Sequence, residues 1–330
     1  MNENIVCVEG LTKTFRVPVR EEGLGSAVKS LFQRRYEDVH AVRSVEFSIR
    51  AGEMVAFIGP NGAGKTTTLK MLAGLLHPTS GQAQVAGYVP WERRSDFLRR
   101  ISMVLGNKSQ MMWDIPPLDT FSVLAEIYHL PPAEFRRSLD ELVSLLDLGD
   151  LLKRPVRTFS LGERMKCELV AGLLHRPAVL FLDEPTLGLD VQMQGRLRQF
   201  VAEYNRRHGS TVILTSHYMA DVVALCPRVL LIHHGQLLYD GALNRLAEQL
   251  APFKLLRLSL VDGTADARPQ LPGQVEWLGE EDGRLTLRVP RREAPALTTH
   301  LLNHYPVSDL SVEDPPIEAV IDRIYQEGAL

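Results

Sequence analysis

Up to about residue 250, short unbroken apolar runs alternate with longer stretches in which apolar residues recur every three or four positions. Met54 to Ile58, Val179 to Leu182 and Val212 to Leu214 have strand length and no polar interruption. A strand apolar on both faces is buried on both faces, as in a parallel sheet covered by helices. The helices are expected at Thr66 to Leu76, Leu118 to about Leu152, Ser160 to His175 and Gln194 to His208. In the second of these, Phe121, Leu124, Ile127 and Tyr128, then Leu139, Leu142, Leu145 and Leu146, fall at helical spacing. The third stops at Arg176-Pro177, where the next backbone donor is missing. Ile5 to Val8 and Val45 to Ile49 predict two more strands, and Phe97 to Leu105 leads into another. Alternating strands and helices of this kind predict an α/β fold with a mainly parallel sheet.

The pattern changes near residue 250. Leu255 to Leu260, Val275 to Leu278 and Leu285 to Val289 alternate with period two. Ala294 to His304 and Ile317 to Tyr325 read as helices, with a strand at Asp309 to Val312 between them. The expected organisation is a large domain over 1–250 and a small α+β domain over 251–330. Residues 17–38 form an insertion in which Leu24, Val28, Leu31 and Phe32 share one helical face, with Lys29, Arg34 and Arg35 elsewhere.

Composition removes several classes. Of 330 residues, 45% are hydrophobic and 23% charged, with a formal net charge of −3, so no overall basic surface invites nucleic acid. Cys7, Cys167 and Cys226 lie far apart, which argues against a zinc site or a disulfide framework and for a reducing, cytosolic setting. The opening residues predict no signal peptide. Runs such as Ala178 to Leu182 and Val229 to Ile232 fall far short of the ~20 residues that cross a bilayer. Any membrane role would need another chain.

Two motifs carry chemistry. Gly59-Pro60-Asn61-Gly62-Ala63-Gly64-Lys65-Thr66 matches G-x-x-x-x-G-K-[ST], placed between a predicted strand and a predicted helix. Glycines let backbone N–H groups close on a phosphate chain, and the helix start adds partial positive charge. Lys65 reaches the β- and γ-phosphates, the Thr66 hydroxyl suits Mg²⁺, and Thr67 continues the lining. The second motif, Val179-Leu180-Phe181-Leu182-Asp183-Glu184, sets two acids at the carboxyl end of a buried strand, where ligands bind in open α/β sheets. Asp183 is the expected Mg²⁺ residue and Glu184 the general base for an attacking water.

Three further motifs follow in order: Ser160-Leu161-Gly162-Glu163, twenty-three residues ahead of Asp183; Leu187-Gly188-Leu189-Asp190; and Thr215-Ser216-His217. With these the chain resembles the ABC transporter ATPase family over roughly residues 4–245. The resemblance implies a P-loop NTPase fold with a mainly parallel sheet, an antiparallel β edge and a helical subdomain at about 108–165. It implies ATP and Mg²⁺ as ligands, and a pair of identical cassettes with each ATP between the phosphate loop of one and Ser160, Gly162 and Glu163 of the other. Asp190 would border that ATP, and His217 would contact the γ-phosphate and align Glu184. The expected partners are a second cassette and a transmembrane permease, with no nucleic acid. The expected location is the cytoplasm, peripheral on the inner face of the plasma membrane through the permease. The stretches Ser160 to Lys166, Thr186 to Val191 and Val312 to Ile317 resemble those of separate-chain exporters of drugs, antibiotics and polysaccharides, which implies export.

The chain departs from the family pattern in places. The glutamine that meets Mg²⁺ after the strand Ile101 to Leu105 in the family is replaced by Asn107, shorter by roughly 1.5 Å, so the resemblance implies Asn107 as a metal residue, with Gln110 as the alternative. Leu161 and Glu163 stand where the family signature has glycine and glutamine, and Glu163 reads equally as a first-turn acid complementing the helix dipole. The aromatic that stacks on adenine is Tyr36 by distance from the phosphate loop or Phe15 by local sequence. The insertion suits either a headgroup or permease contact or a helix packed on its own domain. Two rival functions are a nucleic-acid or ribosome remodeller, which usually has two cassettes or a long coiled coil, and an ATP-sensing module with little hydrolysis.

Overall fold

The computed structural model describes residues 4–18, 36–106, 108–250, 252–261, 275–281, 283–316 and 321. The chain divides into two compact units, Met1–Ala242 and Leu243–Leu330.

The first unit is built on a six-stranded sheet. Its strands are β3 (Met54–Ile58), β5 (Ile101–Leu105), β6 (Val179–Asp183), β7 (Thr211–Thr215), β8 (Arg228–His233) and β9 (Gln236–Ala242), in the order β5-β6-β7-β3-β8-β9. Pairing is parallel throughout except for β9, which runs antiparallel to β8. Every residue of β3, β6 and β7 is buried, which explains their lack of polar alternation. Because these three strands are neighbours and parallel, their carboxyl ends open at one edge, and Asp183 stands level with Thr215.

A three-stranded antiparallel sheet of β2 (Tyr36–Arg50), β1 (Asn4–Pro18) and β4 (Ser80–Val85) adds its inward residues Val6, Val8, Phe47 and Ile49 to the same core as Phe57, Phe181 and Ile213. β1 and β2 run much longer than the expected Ile5 to Val8 and Val45 to Ile49. Their outer arms, Lys13–Pro18 against Tyr36–Val42, are mostly exposed and exist through pairing with each other, which burial patterning does not register. Thus Val17 and Tyr36 to Asp38 of the expected insertion are strand. Its helical face at Leu24 to Phe32 lies outside the described residues.

The helices of this unit are α1 (Lys65–Leu72), α2 (Ser95–Leu98), α3 (Pro117–Ile127), α4 (Pro132–Leu146), α5 (Leu161–Leu173), α6 (Val191–His208) and α7 (Met219–Leu225). α1 ends sooner than expected because Gly74 turns left-handed (φ 71°) and the N–H groups of Leu75 and Leu76 fold back onto the Lys70 carbonyl. The helical run from Leu118 is likewise broken. Pro131 and Pro132 cannot continue α3 but suit the start of α4.

The second unit opens with α8 (Leu243–Leu250) and contains a four-stranded antiparallel sheet. Its strands β10 (Phe253–Leu260), β11 (Glu276–Glu281), β12 (Arg284–Pro290) and β13 (Val307–Glu313) lie in the order β11-β12-β10-β13. Leu256, Leu258, Leu285, Leu287 and Val289 from one face close a core with Leu297 and Leu301 of α9 (Ala294–His304). This is an α+β unit. The units divide eight residues before the expected boundary, because strand pairing in the first unit ends at Ala242 and α8 groups with the second unit. Of the helix expected at Ile317 to Tyr325, only Ile321 lies among the described residues.

Candidate functional site: a phosphate loop, paired carboxylates and a histidine

The loop after β3 is shaped by close backbone approaches. A Cβ on Gly59 would stand 2.2 Å from the Ile232 carbonyl oxygen, and one on Gly64 would stand 2.4 Å from that of Ala41. Gly64 also has φ 107°. No side chain fits at either position. The first internal bond of α1 runs from the Thr68 N–H to the Gly64 carbonyl, at 2.9 Å. The N–H groups of Lys65, Thr66 and Thr67 therefore open the helix with no backbone acceptor among the described residues. Together with the helix dipole they form an anion cradle.

Lys65 is buried, and its Nζ donates to the carbonyls of Gly59 at 2.6 Å and Pro60 at 3.0 Å. Burial holds its pKa below the usual lysine value, opposed by attraction to Glu184 and Asp183. Asp183 Oδ1 accepts two hydroxyls, Thr66 Oγ1 at 2.9 Å and Thr215 Oγ1 at 2.7 Å. Two hard oxygens 2.9 Å apart, at the mouth of an anion cradle, are donors of the kind Mg²⁺ takes.

The next residue, Glu184, has the left-handed backbone angle φ 55°. Its N–H donates to the Thr215 carbonyl at 3.0 Å and to Thr215 Oγ1 at 3.1 Å. Its Oε1 lies 2.8 Å from His217 Nε2, so the imidazole donates and the carboxylate accepts. Beside the pair, a small cavity of about 110 Å³ is lined by Thr66, Lys70, Lys108, Asp183 and Glu184. Lys70 and Lys108 add two cations that the motifs do not contain.

Behind Glu184 and His217 lies a buried network that the motifs also leave out. Asp221 on α7 is 1% exposed. It accepts from Thr186, from Ser216 Oγ at 2.7 Å and from Arg198 at 2.8 Å. Thr186 is two residues past Glu184, and Ser216 is adjacent to His217, so one carboxylate anchors both supporting loops. A second buried acid, Glu168 of α5, accepts from the Ser109 hydroxyl and from the N–H groups of Gln110 and Met111. Gln110 is thereby tethered through its backbone, while Asn107 lies outside the described residues. The available signal for both acids was a lone carboxylate inside an apolar helical stretch, at Cys167-Glu168-Leu169 and Ala220-Asp221-Val222.

Ser160 is the N-cap of α5. Its Oγ accepts from the Glu163 N–H at 3.2 Å, and Glu163 Oε2 accepts from the Ser160 N–H at 2.8 Å. Glu163 is therefore bound to the helix cap, which neutralises part of what would repel a phosphate. Asp190 caps α6 through the Met193 N–H at 2.9 Å. None of Ser160, Gly162, Glu163 or Asp190 bonds to the Lys65–Asp183–Glu184 cluster of the same chain. Tyr36 pairs with Pro18 at the far end of the β1–β2 arm, five residues and roughly 17 Å from Ala41 beside the loop. Phe15 pairs with Val39, only two residues and roughly 7 Å from Ala41. The register thus favours Phe15 over Tyr36.

The fold and this cluster define a P-loop nucleotide-binding ATPase. The ABC transporter family model matches residues 42–187, and a model described as the C-terminal domain of EvrA-like ABC transporters matches residues 252–313. The ABC transporter ATP-binding protein NatA of Bacillus subtilis (strain 168) is 34% identical over 217 residues, spanning 66% of this chain and 88% of that protein. The daunorubicin/doxorubicin resistance ATP-binding protein DrrA of Streptomyces peucetius is 32% identical over 235 residues, 71% of this chain and 70% of that protein. A solved dimeric ATP-binding cassette with ADP and Pi covers 72% of this chain and 98% of its own, at a TM-score of 0.59 and 21% identity, a likeness of fold. The chain belongs to the ABC transporter ATP-binding proteins. It is an ATP-driven transporter subunit and an ATPase. Among the described residues no helix is long and apolar enough to cross a membrane.

Proposed function

We propose that two copies of this chain clamp Mg²⁺-ATP between them and drive export through a separate transmembrane permease, at the cytoplasmic face of the membrane. The observation that carries the chemistry is the meeting of the Thr66–Asp183 bond and the Glu184–His217 pair at the open ends of β3, β6 and β7. Phosphate oxygens replace the Gly59 and Pro60 carbonyls as acceptors for Lys65 and take the free N–H groups of α1. Thr66 and Asp183 hold Mg²⁺, which when bound offsets phosphate charge. Glu184 accepts a proton from the attacking water, and the His217 imidazole holds that carboxylate in line. Phe15 is the adenine platform.

The partner's ATP meets Ser160, Gly162 and the start of α5, which lie outside the cluster of their own chain. Pairing is further supported by exposed apolar side chains at Leu161, Leu187 and Val191. The permease surface is assigned to the helical subdomain. There the Met112 N–H donates to Thr120 Oγ1 of α3, and Met112, Trp113, Val123 and Ile127 are exposed apolar residues. Export follows the likeness to DrrA, a drug-resistance protein by name. Glu184→Gln tests the assignment: the variant binds ATP and pairs, but turns over at least about a hundredfold more slowly. Wild-type turnover in that variant removes Glu184 from the mechanism.

A further inference from the structure

A cavity of about 380 Å³ opens among the C-terminal end of α4, the middle of α5 and one face of α6, within the ~300–1,000 Å³ span of small-molecule sites. Leu145, Leu197 and Phe200 make part of its wall apolar, and Lys166 and Arg196 bring two cations to it. Lys166 is 7% exposed. Its ammonium has no hydrogen-bond or ion-pair partner among the described residues. The α4 C-terminus presents the negative end of its dipole on the same wall but supplies no acceptor within bonding distance. With no protein acceptor and the open space of the cavity beside it, the ammonium is a ready partner for an anionic group. Glu203 does not fill the role, since Arg206 and Arg207 engage it. Asp147 lines the cavity beyond ion-pair reach of Lys166.

We propose that this cavity binds a small amphiphilic monoanion, a carboxylate on an apolar body. The acid group lies against Lys166 and Arg196, and the body lies against Leu145, Leu197 and Phe200. Two carboxylates already on the wall disfavour a multiply charged phosphate. The occupant also reaches the signature helix. Met193 lines the cavity and touches Gly162, where a Cβ would stand 3.0 Å from Met193 Cγ. Lys166 sits one helical turn beyond Gly162 on α5. Occupancy therefore bears on the helix start that meets the partner's ATP. This regulatory consequence rests on the ATPase reading, whereas the binding does not.

Calorimetric titration of the nucleotide-free full chain with sodium octanoate reads binding directly. Saturable one-to-one binding is expected, weakened about tenfold or more in Lys166→Met and retained in Lys166→Arg. Octanol and inorganic phosphate should each bind about tenfold more weakly than octanoate. Arg196→Gln, at the exposed rim, supplies a second variant with reduced affinity should Lys166→Met fold poorly. Absence of octanoate binding, equal binding of octanol, or unchanged affinity in the variants overturns the site. Octanoate should change wild-type ATP turnover about twofold or more and leave that of Lys166→Met insensitive. An unchanged wild-type rate, or a change that persists in the variant, overturns the regulatory role. A chain that binds octanoate but never hydrolyses ATP counts against the ATPase reading alone.

Discussion

Glu184 occupies a backbone conformation that non-glycine residues avoid, at a cost of roughly 1–3 kcal/mol that the surroundings must outweigh. Thr215 holds its N–H and His217 its carboxylate. Asp221 is the anchor behind both. Asp221→Asn should lower kcat about tenfold or more with little change in the KM for ATP, since a misplacement near 1 Å costs up to ~10²-fold. Steady-state kinetics decide it, and an unchanged kcat shows the network to be scaffold only. The adenine contact separates by single substitutions. Phe15→Ala should weaken a fluorescent ATP analogue roughly three- to tenfold, the worth of one aromatic stack of ~0.5–1.5 kcal/mol. Tyr36→Ala should leave it unchanged. The reverse result restores Tyr36.

Among the elements, α5 does the most joining. Its N-terminus carries the capping box of Ser160 and Glu163, its buried face holds the 109–111 loop through Glu168, and beyond its end stands His175. The His175 ring stacks on Tyr128 after α3 with centroids 3.9 Å apart, and its Nε2 donates to the Ile101 carbonyl of β5 at 2.9 Å. Three elements meet at one imidazole. Desolvation holds its pKa below the ordinary 6.5, outweighing the bond to Ile101, so the folded chain keeps it neutral. As pH falls through 6.5 the unfolded chain takes up a proton first, and stability is lost until the folded pKa is passed. Glu134, Arg137 and Arg176 line the adjoining cavity. Melting temperature should therefore fall from pH 7 to pH 5, with a smaller fall in His175→Phe, which keeps the stack. Identical slopes would place the pH dependence elsewhere.

At the scale of the whole molecule, no hydrogen bond or ion pair among the described residues joins the helix start at Ser160, Gly162 and Glu163 to the Lys65–Asp183–Glu184 cluster of the same chain. Leu161, Leu187 and Val191 are 40%, 39% and 80% exposed around that helix start and the loop beside it. Apolar side chains so exposed near an ATP site suit a second copy. Leu161→Glu should abolish ATP-dependent pairing in the Glu184→Gln background, read by light scattering, without lowering the melting temperature of the single chain. Pairing that survives would move the interface away from this helix.

Sequence alone determined the parallel core and the nucleotide loop, because both are local. Unbroken apolar runs such as Val179 to Leu182 leave burial on both faces as the outcome, and the glycine spacing before Lys65 encodes its own backbone shape. Asp183, Glu184 and His217 were legible for the same reason, each lying at or just past a strand end. Only the tertiary structure decided what depends on chain segments meeting. Examples are the outer arms of β1 and β2, whose pairing needs no core, and the register that sets Phe15 nearer the loop than Tyr36. Others are the capture of Glu163 by its own helix cap, the Asp221 and Glu168 anchors, and the cavity in which Lys166 is left without an acceptor. A side chain's partner is set by the distance between atoms remote in sequence, and no periodicity along the chain records it.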